Sequence, residues 1–144
     1  MRTAEEYKDL TIKEFTKAAD IYETDQAGIY EMCKDDYPYI AAELEKEDYQ
    51  DLLDCGCGTG PMISLLHEKD STKHYTGLDI TPKMIEVAKA KNLRGVDWVV
   101  GDCENLPFEE NSFDEIRKFC SVADLKIDNL EACEKFRMHL VARK

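Results

Sequence analysis

The sequence predicts an α/β fold: a mostly parallel sheet, entered through N-terminal helices and closed by a C-terminal antiparallel hairpin. Three observations lead there. Between residues 49 and 114, short apolar runs alternate with amphipathic stretches as strand–helix–strand–helix–strand, the order that makes a parallel sheet with right-handed crossovers. Ahead of them, residues 3–20 and 26–47 carry apolar side chains at helical spacing. Near the end, Phe136, Met138, Leu140 and Ala142 alternate with Arg137, His139, Val141 and Arg143, a strand signal. The 144 residues suit one domain, read as a helical cap (1–48), a βαβαβ unit (49–114) and a C-terminal helix with hairpin (115–144).

Taken in order, Tyr7, Leu10, Phe15, Ala18 and Ala19 give the first helix its apolar stripe. Residues 26–47 predict one or two more helices, interrupted near Tyr37-Pro38 because the residue before proline avoids helical backbone. Tyr39, Ile40 and Leu44 are expected to face inward. Leu52-Leu53-Asp54-Cys55 is a short apolar run ending in glycines, a buried strand. Pro61–Glu68 is a helix, and His74–Asp79 a second strand. Thr81 is placed to cap a helix opened by Pro82, which ends near Asn92. Trp98-Val99-Val100 is the third strand.

Composition excludes some functions. Nineteen basic against 31 acidic residues leave a net charge of −12, a surface that repels phosphate backbones and disfavours nucleic acid as a partner. No apolar run approaches the roughly 18–20 residues of a membrane span. The opening MRTAEEYKDLTIKEF has neither an apolar segment nor a cleavage site, so a cytoplasmic protein is expected. Cys33, Cys55, Cys57, Cys103, Cys120 and Cys133 form no CxxC pair and no zinc spacing, which favours free thiols over disulfides or a metal.

In parallel sheets ligands bind beyond the carboxyl ends of the strands. Three loops share that address. Asp54-Cys55-Gly56-Cys57-Gly58-Thr59-Gly60 places three glycines at alternate positions, which permits positive φ and close approach, and a helix whose first N–H groups are unsatisfied follows at once. Asp79 ends the next strand 23 residues after Gly56, where a carboxylate can accept from ribose hydroxyls; capping the following helix is the plainer alternative. Asp102 ends the third strand another 23 residues on, beside the N–H of Cys103, where the two can read an adenine amino group and ring nitrogen; a solvated carboxylate is the alternative. Together the three acids point to an adenosine-containing ligand. A dinucleotide is disfavoured, because Pro61 stands where G-x-G-x-x-G needs its third glycine and Asp54 would repel a pyrophosphate. A carboxylate at Asp54 suits a cationic amino acid group, hence S-adenosylmethionine.

LLDCGCGTG, YTGLDITPKMIEVAK and VVGDCENLPFEENSFD resemble the first three motifs, and the run into the fourth, of class I S-adenosylmethionine-dependent methyltransferases of the small-molecule, quinone-biosynthesis-like branch. The likeness covers about Tyr37–Asp114 and implies a Rossmann-like methyltransferase fold with S-adenosylhomocysteine as product. It implies that Asp54 and the backbone of Gly56 hold the methionine part, with Cys57 in the same loop, and that Gly58 and Gly60 allow close packing. It further implies that Asp79 binds the ribose, Ile80 lies against the adenine, Asp102 takes the adenine amino group and the Cys103 N–H its ring nitrogen. An N-terminal tyrosine often closes over the cofactor in such enzymes. Tyr22 is the candidate, with core packing as its alternative.

After Asp114 the likeness stops. Three charges in Glu115-Ile116-Arg117-Lys118 argue against a central buried strand. Phe113, Ile116, Phe119/Cys120 and Ala123 have helical spacing, and Ser112-x-x-Glu115 is a capping box. Leu125-Lys126-Ile127 and Leu130 read as a further strand. The chain is therefore expected to pass from the start of the fourth strand to the final helix and hairpin, omitting two strand–helix units, about 60 residues at ~30 each. The charge balance changes at the same place: residues 1–110 carry 12 basic and 25 acidic side chains, residues 111–144 carry 7 and 6. Such a shortening would bare Leu52-Leu53 as an apolar edge, which a homodimer could cover. Two functions remain open: methyl transfer from S-adenosylmethionine to a small molecule, or binding of that cofactor without transfer because part of the substrate-binding segment is missing. NAD-linked chemistry is disfavoured by Pro61 and Asp54. No general base is identified, and His67, His74 and His139 are expected to be structural.

Overall fold

Strands alternate with helices in the computed structural model as the pattern requires. It describes residues 1–24, 30, 34–109, 112–113, 115–119 and 137–140, the last two stretches as backbone. Helix α1 (Ala4–Ala18) opens with a capping box between Thr3 and Glu6 and runs into a 3₁₀ turn at Ala19–Ile21. Helix α2 is Asp36–Leu44. Then follow β1 (Asp51–Cys55), α3 (Pro61–Lys69), β2 (His74–Asp79), α4 (Pro82–Ala90), β3 (Val96–Val100), β4 (Glu115–Phe119) and β5 (Arg137–Leu140).

Two details of the cap differ from expectation. Pro38 does not interrupt a helix: it lies in the first turn of α2, where the missing N–H would have no intrahelical partner anyway. Tyr39 is 57% exposed; Tyr37, Ile40, Ala41 and Leu44 form the buried face instead.

The strand order is β3-β2-β1-β4-β5. β1 and β2 run parallel from Asp51↔His74 to Cys55↔Leu78, and β2 and β3 from Tyr75↔Val96 to Asp79↔Val100. The period of two sends Leu52 to one face and Leu53 to the other, both fully buried. Leu52 joins Tyr37, Ile40, Leu44, Met62, Ile63 and Leu66 under α2 and α3. Leu53, Cys55 and Leu78 form a second cluster, packed by Val99, Cys103 and the edge-to-face pair Phe108–Phe113. Burying each such leucine contributes about 1.5–3 kcal/mol.

The main correction concerns Glu115–Phe119, which is a strand and not a helix. It pairs parallel to β1 from Leu52↔Glu115 to Cys55↔Lys118. The far side of β1 carries N–H and C=O groups that need partners, and this pairing outweighs the helical spacing and the capping-box pattern. β1 is therefore central, and the bare edge from which a homodimer was expected is covered. Any shortening begins after the fourth strand, not at its start. β5 pairs antiparallel with β4 from Ile116↔Leu140 to Phe119↔Arg137. The expected strand at 125–130, and with it the closing hairpin, lies outside the described residues, as do Cys33, Cys120 and Cys133.

Candidate functional site

The glycine loop joins β1 to α3 and is tied to the end of β2. Gly56 and Cys57 both donate their N–H to the Leu78 carbonyl, at 2.7 and 3.0 Å; Gly58 donates to Asp79 Oδ2 at 2.9 Å, and Gly60 to the Cys57 carbonyl at 2.9 Å. Four backbone donors of the loop are thus committed within the protein. Pro61, first residue of α3, has none to offer. These four N–H groups are therefore not free to converge on a bound anion. This is the opposite of a phosphate cradle, which needs convergent N–H donors.

Positive φ makes that course feasible: Gly56, Gly58 and Gly60 stand at 75°, 57° and 83°. Gly60 has a second constraint. A Cβ there would come 2.3 Å from Trp98 Cη2, and one at Gly77 in β2 would come 2.5 Å from Trp98 Cε3. The two glycines form a slot for one indole. Gly58 faces Tyr22 instead, whose Cε1 lies 3.8 Å from where a Cβ would be.

The three acids meet different fates. Asp54 is fully buried at the end of β1. Asp79 is partly buried, with Oδ2 bound to Gly58 and Oδ1 accepting from the Thr81 N–H at 2.8 Å. It thus takes part in starting α4, while Thr81 makes no side-chain cap, contrary to expectation. Burial pushes the Asp79 carboxyl above its ordinary pKa of 3.8; the N–H groups of Thr81 and Gly58 oppose the rise, and the charge of Asp54 adds to it. Each Asp79 oxygen keeps a further lone pair for a ligand donor. Asp102 follows β3. Its Oδ1 accepts from the Glu104 N–H at 2.9 Å in a tight turn, and its Oδ2 is held by Lys8 of α1 at 2.6 Å. Ile80 and Cys103 are both partly exposed beside these strand ends.

Residue composition alone did not reveal several members of this site. Lys8 is one, an ordinary polar position of an amphipathic helix. Glu23 is another: its Oε1 accepts from Thr59 Oγ1 and from Lys91 Nζ, each at 2.5 Å, and so joins the segment after Tyr22 to the glycine loop and to α4. Lys91 also reaches Ser64 Oγ at 3.2 Å. Tyr22 is buried against Ala19 and Met84, with Phe15 and Tyr30 at ring distances of 6.2 and 6.0 Å. It serves the core and covers the loop at once. The slot for Trp98 did leave a signal, since a glycine inside a strand marks close approach. His67 meets the Arg94 carbonyl at 2.8 Å, and His74 lies between Asp51 and Asp97 at 3.1 and 3.0 Å, away from the strand ends. Among the described residues no cluster has the makings of a metal site, and no helix is long and apolar enough to cross a membrane.

The buried carboxylate of Asp54 and that of Asp79 stand at the ends of neighbouring strands, beside a loop whose four N–H donors are committed. The residues present fit a nucleoside that carries a cation, the chemistry of S-adenosylmethionine.

Known proteins agree. A family model described as a methyltransferase domain matches residues 52–141. The demethylmenaquinone methyltransferase of Thermotoga maritima is 45% identical over 65 residues, 45% of this chain and 28% of that protein. The phthiotriol/phenolphthiotriol dimycocerosates methyltransferase 1 of Mycobacterium ulcerans is 43% identical over 68 residues, 46% of this chain and 25% of that protein. Among solved structures, a protein of Methanococcus maripaludis assigned as an S-adenosyl-L-methionine-dependent methyltransferase superposes with a TM-score of 0.59 at 26% identity, covering 86% of this chain and 56% of that one. The methyltransferase solved with the Haloferax volcanii Trm112 activator shares the fold, with a TM-score of 0.64 at 24% identity over 76% of this chain and 48% of that one. The matches span about a quarter of the length of these curated relatives and about half that of the structures. With the family model covering β1 through β5, the chain belongs to the methyltransferase-domain family, among the class I S-adenosylmethionine-dependent methyltransferases.

Proposed function

We propose that this chain binds S-adenosylmethionine across the ends of β1, β2 and β3 and serves methyl transfer to a small molecule. The observation that carries the reading is the commitment of the glycine loop's N–H groups within the protein, beside the two strand-end carboxylates Asp54 and Asp79. That field suits an ammonium and a sulfonium and rejects a pyrophosphate.

In this reading Asp54 and the Gly56 carbonyl hold the ammonium. Asp79 accepts from the ribose hydroxyls while its bonds to Gly58 and Thr81 keep it aimed. Ile80 lies against the adenine, the Cys103 N–H and Asp102 read its edge, and Tyr22 covers the loop near Gly58. When bound, the cofactor would supply an electrophilic methyl group on its sulfonium, held by Asp54, the Gly56 backbone and Asp79. The protein's part is alignment and exclusion of water. The net charge of −12 and relatives named for demethylmenaquinone and phthiotriol support a small acceptor over nucleic acid.

Calorimetry with S-adenosylmethionine, S-adenosylhomocysteine and NAD tests the binding step. The first two should bind and NAD should not. Asp79→Ala should lose about 1.5–3 kcal/mol, roughly tenfold to 150-fold. A chain that ignores both sulfur nucleosides does not hold this cofactor. Turnover over a panel of small acceptors then separates transfer from binding alone.

A further inference from the structure

Asp102, assigned above to the adenine amino group, already holds a cation from the opposite end of the chain. Lys8 Nζ donates to its Oδ2 at 2.6 Å, lies 2.7 Å from Glu104 Oε2 and 3.8 Å from Glu5 Oε1. The Lys8 and Asp102 side chains are only 23% and 30% exposed. The other oxygen, Oδ1, accepts from the Glu104 N–H in the turn. Helix α1 is otherwise seated through Phe15 against the cluster of Ala19, Tyr22 and Met84.

We infer that Lys8 is an internal competitor for the adenine subsite: its ammonium binds Asp102 Oδ2, latches α1 beside the end of β3, and competes with an adenine amino donor for that carboxylate. This rests on the cofactor reading above. An ammonium makes a charge-assisted bond, stronger than that of a neutral amino donor, so the two do not share the oxygen on equal terms. The latch is nevertheless releasable. It is partly solvated, a setting in which ion pairs contribute modestly, and Glu5 and Glu104, 82% and 66% exposed, stand ready to receive the displaced ammonium. Hydrogen bonds to Asp102 and Glu104 hold the Lys8 ammonium above its ordinary pKa, so it stays charged at neutral pH.

The test compares the native chain, Lys8→Met and Lys8→Arg. S-adenosylhomocysteine is the probe, because it carries no net charge at neutral pH and its long-range salt dependence is small. Lys8→Met should bind about two- to fivefold tighter than the native chain. Raising salt should strengthen native binding, since it screens the latch, and leave Lys8→Met unchanged; Lys8→Arg should behave as native. Without ligand, trypsin should cut after Lys13 and Lys17 faster in Lys8→Met, because α1 is released. If the native chain binds and Lys8→Met binds no tighter, the competitor role is overturned while the cofactor reading stands. An unchanged rate of tryptic cleavage overturns the latch. If neither chain binds the probe, the cofactor reading itself has failed and the competitor role falls with it.

Discussion

Asp79 and Asp102 occupy the same place in the fold, one strand apart, yet the protein treats them differently. Asp79 is held by backbone: the N–H of Thr81, two residues on, and the N–H of Gly58 in the neighbouring loop. Both donors move only if the sheet moves. Asp102 is held on one side by its own turn and on the other by Lys8, a flexible side chain 94 residues away in sequence. One acid is preorganised and partly desolvated; the other is satisfied by a partner that can leave. A fixed contact sets the orientation of a ligand, and an exchangeable one sets the cost of its entry.

The strongest way to break the fixed side is through its footing. Gly60→Ala would put a methyl group 2.3 Å from Trp98 Cη2 at a φ of 83°. Overpacking and left-handed backbone together should cost about 3 kcal/mol in urea unfolding, and a native midpoint would mean the indole slot is slack. Next comes Asp79→Ala, with the loss of tenfold or more stated above. Asp102→Ala should cost less, about 1 kcal/mol, because removing the acid also removes the latch. Equal losses for the two variants would erase the contrast.

The smallest effect is in pH. Affinity for S-adenosylhomocysteine should begin to fall at a higher pH than for an ordinary carboxylate, because the Asp79 pKa is raised above 3.8 by burial. For stability the sign is opposite. A carboxyl with a raised folded pKa costs stability when ionised. That cost is fully present above the folded pKa and disappears as pH falls toward the unfolded value. The stability of the ligand-free native chain relative to Asp79→Asn should therefore improve across that window, read by denaturation at stepped pH.

Much of this was legible in the residues, for local reasons. Leu52-Leu53 before a run of glycines, Pro82 after Thr81 and acids at the strand ends are short-range signals, and the elements formed where those signals stood. The positions of the three acids were legible to the same degree: Asp54, Asp79 and Asp102 all lie at strand ends. Two failures teach more. Glu115–Phe119 has helical spacing and three charges, but β1 needed a neighbour and took it as a strand. Pro38 breaks a helix only if it stands beyond the first turn, and α2 starts just two residues ahead of it, at Asp36.

The sequence by itself determined the parallel βαβαβ unit, the positive-φ loop and the acids at the strand ends, because each follows from residue type within a few positions. Only the tertiary structure decided that the loop's donors face inward, that Trp98 requires Gly60 and Gly77, and that Lys8 claims Asp102. Those facts depend on which distant groups come within hydrogen-bond or contact distance, and a one-dimensional pattern carries no record of that distance.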